Sequence, residues 1–139
     1  MQGEDLIIAQ ISDLHIKPYR NLLKPIVEHI NKISDIDLVV VTGDLAHNEK
    51  YLEYAASCLD KIIHKVVAIP GERDCGREWK RLFGNTYRSL KIKGWDIVLV
   101  DTSYMGDRFF DGWSDTIKNE IPEQYEWLIN KFHDNSSWN

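Results

Sequence analysis

The stretch Ile7-Ile8-Ala9-Gln10-Ile11-Ser12-Asp13-Leu14-His15 decides the fold: an apolar run stops at a serine, then presents an aspartate and a histidine two residues apart. A run so nearly continuous in apolar residues from Leu6 to Ile11 suits a central strand covered on both faces, and such strands belong mostly to parallel sheets. Two later stretches repeat the design. Leu38 to Asp44, LVVVTGD, and Val66 to Asp74, VVAIPGERD, are each an apolar run broken by glycine and followed at once by carboxylate. In an open parallel sheet the loops at the carboxyl ends of the strands converge on one crevice. Asp13, His15, Asp44, Glu72 and Asp74 can therefore meet there although they are far apart in sequence. Carboxylate oxygen and imidazole nitrogen suit Mn, Fe, Zn or Mg without any thiolate. Singly each motif is weak, because glycine and aspartate also build plain turns. Three in succession, each directly after a strand, point to metal chemistry.

Between these strands the apolar residues change period. Leu22, Leu23, Ile26, Val27, Ile30 and Ile33 recur at helical spacing, as do Tyr51, Leu52, Ala55, Leu59, Ile62 and Ile63. The unit is thus β-α-β-α-β. Right-handed crossovers put both helices on one face if the strand order progresses in one direction, so another layer must cover the opposite face. That layer is expected from the remainder: a short helix near Arg77 to Phe83, strands around Tyr87 to Ile92 and Trp95 to Val100 joined in a hairpin at Gly94, and a helix from Pro122 to Phe132. Tyr125, Leu128, Ile129 and Phe132 give this last helix its expected apolar face, and Ser103 to Asn119 reads as a long loop.

A chain of 139 residues, 43% hydrophobic and 28% charged, fits one α/β domain spanning 1–139. No apolar run approaches the roughly 20 residues that cross a bilayer, and MQGEDL lacks a basic n-region and an h-region, so a cytoplasmic protein with no membrane partner is expected. Cys58 and Cys75 form no metal-type pair and are expected to be reduced. A net charge of -5 argues against broad nonspecific nucleic-acid binding, while Arg73, Arg77, Lys80 and Arg81 leave a local basic patch, and with it a nucleic-acid partner, open. No Gly-rich phosphate loop follows the first strand, which disfavours a nucleotide-binding α/β class.

The sequence resembles the calcineurin-like metallophosphoesterases, whose signature is Asp-x-His, then Gly-Asp, then Gly-Asn-His-Asp or Glu, each after a strand. The matching residues are Asp13-Leu14-His15, Gly43-Asp44 and Gly71-Glu72-Arg73-Asp74, and the likeness continues through Val100-Asp101-Thr102-Ser103 and Gln124 to Leu128. The resemblance implies a partial metallophosphoesterase-type β-sandwich flanked by helices, in the order β-α-β-α-β then β-β-α. It also implies a divalent-metal centre of one or two sites in which Asp13 and His15 bind one ion, Asp44 bridges, and Glu72 binds the second. The implied reaction is hydrolysis of phosphate mono- or diesters by a metal-activated hydroxide attacking in line.

Two departures accompany the likeness. Glu72 and Arg73 stand where the family most often has asparagine and histidine. Arg73 cannot give up a proton as a general acid, yet its guanidinium can clamp a phosphate, with Asp74 expected to pair with it and orient it. Arginine at this place also resembles the pattern of UDP-diacylglucosamine pyrophosphatases. The second departure is that the family's later strands and histidine motifs have no counterpart in these residues. His29, His64 and His133 read as surface histidines, and His47, nearest the crevice, reads most simply as a loop histidine. A catalytically inactive scaffold or interaction domain is the alternative to the enzyme, and an uncovered sheet edge invites a partner chain or a second copy.

Overall fold

The computed structural model describes residues 4–103 and 121–134, which fall into two compact units, 1–101 and 102–139. In the first unit, β1 (Ile8–Ile11), β2 (Leu38–Thr42) and β3 (Val66–Ile69) form a parallel sheet in the order β1-β2-β3. Because a strand presents alternate residues to opposite faces, each face of this sheet has its own core. Ile11, Val39, Val41 and Ala68 pack with Leu23, Val27 and Ile30 of α1 (Leu23–Ile30) and with Leu52, Ala55 and Leu59 of α2 (Leu52–Leu59). Both helices thus lie on one face, as a sheet progressing in one direction requires.

On the other face Leu38, Val40 and Val67 meet Leu99, with Leu90, Ile92 and Ile97 packed around them. These belong to β4 (Arg88–Ile92) and β5 (Trp95–Leu99), an antiparallel pair in which Ile92 lies opposite Trp95. Lys93 and Gly94 between them have φ of 50° and 81°, the left-handed geometry of a two-residue hairpin turn whose twist matches its strands. The expected two-layer, helix-flanked arrangement is therefore present.

One strand differs from expectation. Ile7 and Ile8 are each 45% exposed and Gln10 is exposed, so among the described residues β1 is an edge strand, open on the hairpin side. A continuous apolar run records that a strand is apolar, not how many neighbours it has. The helix expected to run to Ile33 also stops earlier, at Ile30. There Asn31 turns outward, donating to the Lys61 carbonyl at 2.9 Å and accepting from the Ile63 N–H at 3.0 Å, which pins the end of α1 to the loop before β3.

A 3-10 turn at Glu49–Tyr51 precedes α2, and its Glu49 carboxylate accepts the Glu78 N–H at 2.8 Å in the first turn of α3 (Arg77–Phe83). Trp79 of α3 is fully buried and stacks on Phe83 with ring centroids 4.3 Å apart. Of the basic residues near this helix, Arg81 is engaged by Glu78 at 2.7 Å, which thins the patch read from the sequence. Cys58 and Cys75 are not joined in a disulfide.

The second unit contains α4 (Pro122–Asp134), where proline occupies the first turn. Gln124 and Leu128 are its buried positions, while Phe132 is 68% exposed, so the apolar face expected to reach Phe132 stops short of it. The loop read from Ser103 to Asn119 lies, beyond residue 103, outside the described residues. No described helix is long and apolar enough to cross a membrane.

Candidate metal centre

Beyond the strand ends the first two loops run side by side. Asp13 N–H donates to the Gly43 carbonyl at 3.0 Å, His15 N–H to Asp44 at 2.9 Å, Ile16 N–H to Leu45 at 2.8 Å, and His47 N–H back to Ile16 at 3.1 Å. This ladder extends the β1–β2 pairing, yet Asp13, His15 and Asp44 have φ of 55°, 46° and 47°. Left-handed backbone at a residue other than glycine costs roughly 1 kcal/mol or more and persists where the surroundings over-determine it. Three such residues sit here together. Their ligand atoms, one from each of Asp13, His15 and Asp44, all lie within 4.8 Å of one another.

Each member is oriented by a neighbour. Ser12 donates its hydroxyl to Asp13 Oδ2 in a short hydrogen bond. Asp44 Oδ1 accepts the Arg73 main-chain N–H at 2.9 Å, and its Oδ2 lies 3.7 Å from His15 Nε2. The third loop can come this close because Gly71 has no side chain: a Cβ there would run into the carboxylate and main-chain nitrogen of Asp44. Gly43, with φ of 104°, likewise passes Gly71 closely, a Cβ on it lying 3.0 Å from the Gly71 Cα.

Asp74 serves the same loops from beneath. It is fully buried, its Oδ1 accepting the Gly71 N–H at 2.7 Å and its Oδ2 accepting those of Leu45 at 2.6 Å and Ala46 at 3.2 Å. Burial raises its pKa above the ordinary carboxylate value, against the lowering effect of these three main-chain bonds, and the Asp44 charge raises it further. The expected pairing with Arg73 is replaced by this bracing of the second loop to the third, because both carboxylate oxygens are taken by main-chain donors. Among the described residues the Arg73 guanidinium forms no ion pair.

Glu72 is exposed and stands outside the Asp13–His15–Asp44 group. His47 is half-buried with its ring centroid 6.0 Å from that of His15. Its pKa is lowered, chiefly by desolvation and then by the positive charges of Lys17, Arg73 and His15. His29 and His133 are exposed, and a ring nitrogen of His64 lies 3.3 Å from the Ile30 carbonyl. Sequence reasoning passed over Ser12 and Lys17. Their only signal is position, one residue before Asp13 and two after His15.

Two acids and an imidazole projecting from strand ends of a parallel sheet form a candidate metal-binding group. The chain belongs to the calcineurin-like phosphoesterase family, whose sequence profile matches residues 6–137. It is 29% identical over 106 residues to a protein of Vesicomyosocius okutanii subsp. Calyptogena okutanii (strain HA) named as a probable cyclic nucleotide phosphodiesterase, covering 68% of this chain and 45% of that one. The chain thus spans under half the length of that relative. A crystal structure of a protein of unknown function from Aquifex aeolicus aligns with 95% of this chain and 75% of its own, at 14% identity and a TM-score of 0.46.

Proposed function

We propose that this chain carries the strand-end half of a metal-dependent phosphoesterase site and acts on phosphate mono- or diesters. The observation that carries the reading is the Asp13–His15–Asp44 group on strained, mutually bonded loops. That donor set fits a divalent ion such as Mn, Fe, Zn or Mg. Asp13 and His15 would hold one ion, Asp44 would be shared by that ion and a second, and Glu72 would reach the second ion by swinging in from its exposed position. Bound ions supply a nucleophilic water at neutral pH and neutralise charge on the phosphoryl oxygens. Arg73 contributes a phosphate clamp, and Asp74 acts through the loops it braces. In this reading residues 1–139 are one metallophosphoesterase-like domain, further ligands come from outside the described residues or from another chain, and the protein works in the cytoplasm.

One observation favours a second reading. Glu72 lies outside the ligand group, so a chain that keeps the fold as an interaction domain and holds metal weakly is the competing hypothesis. The test is metal content and Mn-dependent hydrolysis of a generic phosphodiester and a phosphomonoester by this chain and by Asp44→Asn. Stoichiometric metal, with affinity lowered roughly 100-fold and turnover lost in the variant, supports the enzyme, since even residues that only support a ligand are worth 10–100-fold. Absence of both metal and turnover in the unaltered chain supports the interaction domain.

A further inference from the structure

A second polar constellation lies beside β3. A cavity of about 290 Å³ opens there, at the small end of the range for ligand sites, walled by Leu59, Ile62 and Phe83 and lined by three ionisable residues, Asp60, His64 and Arg88. Asp60 and His64 precede β3, whereas the metal group follows the last residues of β1 and β2, so these two lie toward the opposite end of the parallel sheet. Arg88 is tied in place: its Nη2 donates to the Phe83 carbonyl at 2.8 Å and to the Asn85 carbonyl at 3.1 Å. Its Nε is buried without a partner, and Nη1 has none among the described residues. A guanidinium keeps its charge at any ordinary pH, and leaving its donors unmet while the side chain is half-buried is costly.

The opposite charge lines the same cavity without closing on it. Among the described residues neither Arg88 nor Asp60 forms an ion pair. His64 Nε2 lies 3.3 Å from the Ile30 carbonyl; a carbonyl only accepts, so Nε2 is the donor and Nδ1 of the neutral ring is left to accept. One fixed cation therefore shares a small space with a carboxylate, an imidazole acceptor and apolar walls. We propose that this cavity binds a small zwitterion, an α-amino acid with a short apolar side chain, its carboxylate on Arg88 and its ammonium on Asp60 and His64. Phosphate or a simple carboxylate would satisfy Arg88 but be repelled by Asp60, and a simple amine would leave Arg88 unmet. The site is independent of the metal reading.

Titration calorimetry of this chain with L-valine, 3-methylbutanoate, isobutylamine and inorganic phosphate tests it, the second and third probes being L-valine without its ammonium and without its carboxylate. L-valine should bind about tenfold or more tightly than the other three, as one charge-assisted hydrogen bond allows. Asp60→Asn should erase the preference for L-valine over 3-methylbutanoate without weakening 3-methylbutanoate itself, and Arg88→Met should abolish the binding of both, with Mn affinity unchanged in each variant. Arg88 also ties down two carbonyls, so circular dichroism accompanies its variant, and Asp60→Asn alone decides if Arg88→Met unfolds. No binding of L-valine, equal affinity for L-valine and 3-methylbutanoate, phosphate bound as tightly as L-valine, or an undiminished preference in Asp60→Asn overturns the site.

Discussion

A carboxylate in a candidate metal group is oriented when the protein holds one of its oxygens, and at Asp44 this is made possible by the absence of an atom. Gly71 lets the third loop pass so close that its Arg73 N–H reaches Asp44 Oδ1 at 2.9 Å. Gly71→Ala is expected to force the loops apart, destabilising the fold by about 1–3 kcal/mol as overpacking does, and to weaken Mn binding together with it. Denaturant unfolding and Mn titration of the variant check both effects; Mn affinity intact in a destabilised protein would show that the close approach matters only for packing. Asp13, His15 and Asp44 were legible in the sequence because each follows a strand end, where side chains from separate loops converge. The role of Asp74 was not, because a carboxylate satisfied by main-chain donors and one facing a ligand are the same letter in a sequence.

Among the elements, Asp37 is the joint between layers. Its carboxylate accepts the Ile7 N–H at 2.9 Å, at the approach to β1, and the Lys93 ammonium at 3.0 Å, in the turn of the hairpin. The Ile7 bond first and the Lys93 bond second hold the Asp37 carboxyl below its usual 3.8, and the Asp37 hydrogen bond chiefly holds the Lys93 ammonium above its usual 10.5. A depressed carboxyl contributes stability that is present above the unfolded value and lost as pH falls through the folded one. The raised ammonium contributes stability present below its unfolded value and lost as pH rises through its folded one. Asp37→Asn should therefore lower Tm by a constant amount across neutral pH, with the gap closing below about pH 3.8 and above about pH 10.5. Thermal melts across pH decide it: a gap that persists undiminished into acid would mean that the ionised carboxyl is not the tie.

At the scale of the molecule's described residues, the parallel sheet of the first unit is covered by helices on one face and by the hairpin over β2 and β3 on the other, leaving Ile8 of β1 exposed. An open strand edge beside exposed apolar side chains favours association with other chains. Ile8→Lys should leave the unfolding free energy within about 0.5 kcal/mol, as an exposed substitution does, while reducing concentration-dependent light scattering. Scattering that does not change would place any self-association elsewhere on the surface.

By itself the sequence determined the alternation of strand and helix, the parallel sheet and the identity of the strand-end acids and histidine. These follow from local periodicity and from the abrupt change from apolar to metal-ligating residues at each strand end. Only the tertiary structure decided which of those residues share a site, because the left-handed turns at Asp13, His15 and Asp44 and the close pass of Gly71 depend on loops far apart in the chain. It also decided that, among the described residues, β1 stands at an edge, that Asp74 braces loops and that Glu72 is exposed. Burial and hydrogen-bond partnership are properties of neighbours in space, and a residue's letter does not carry them.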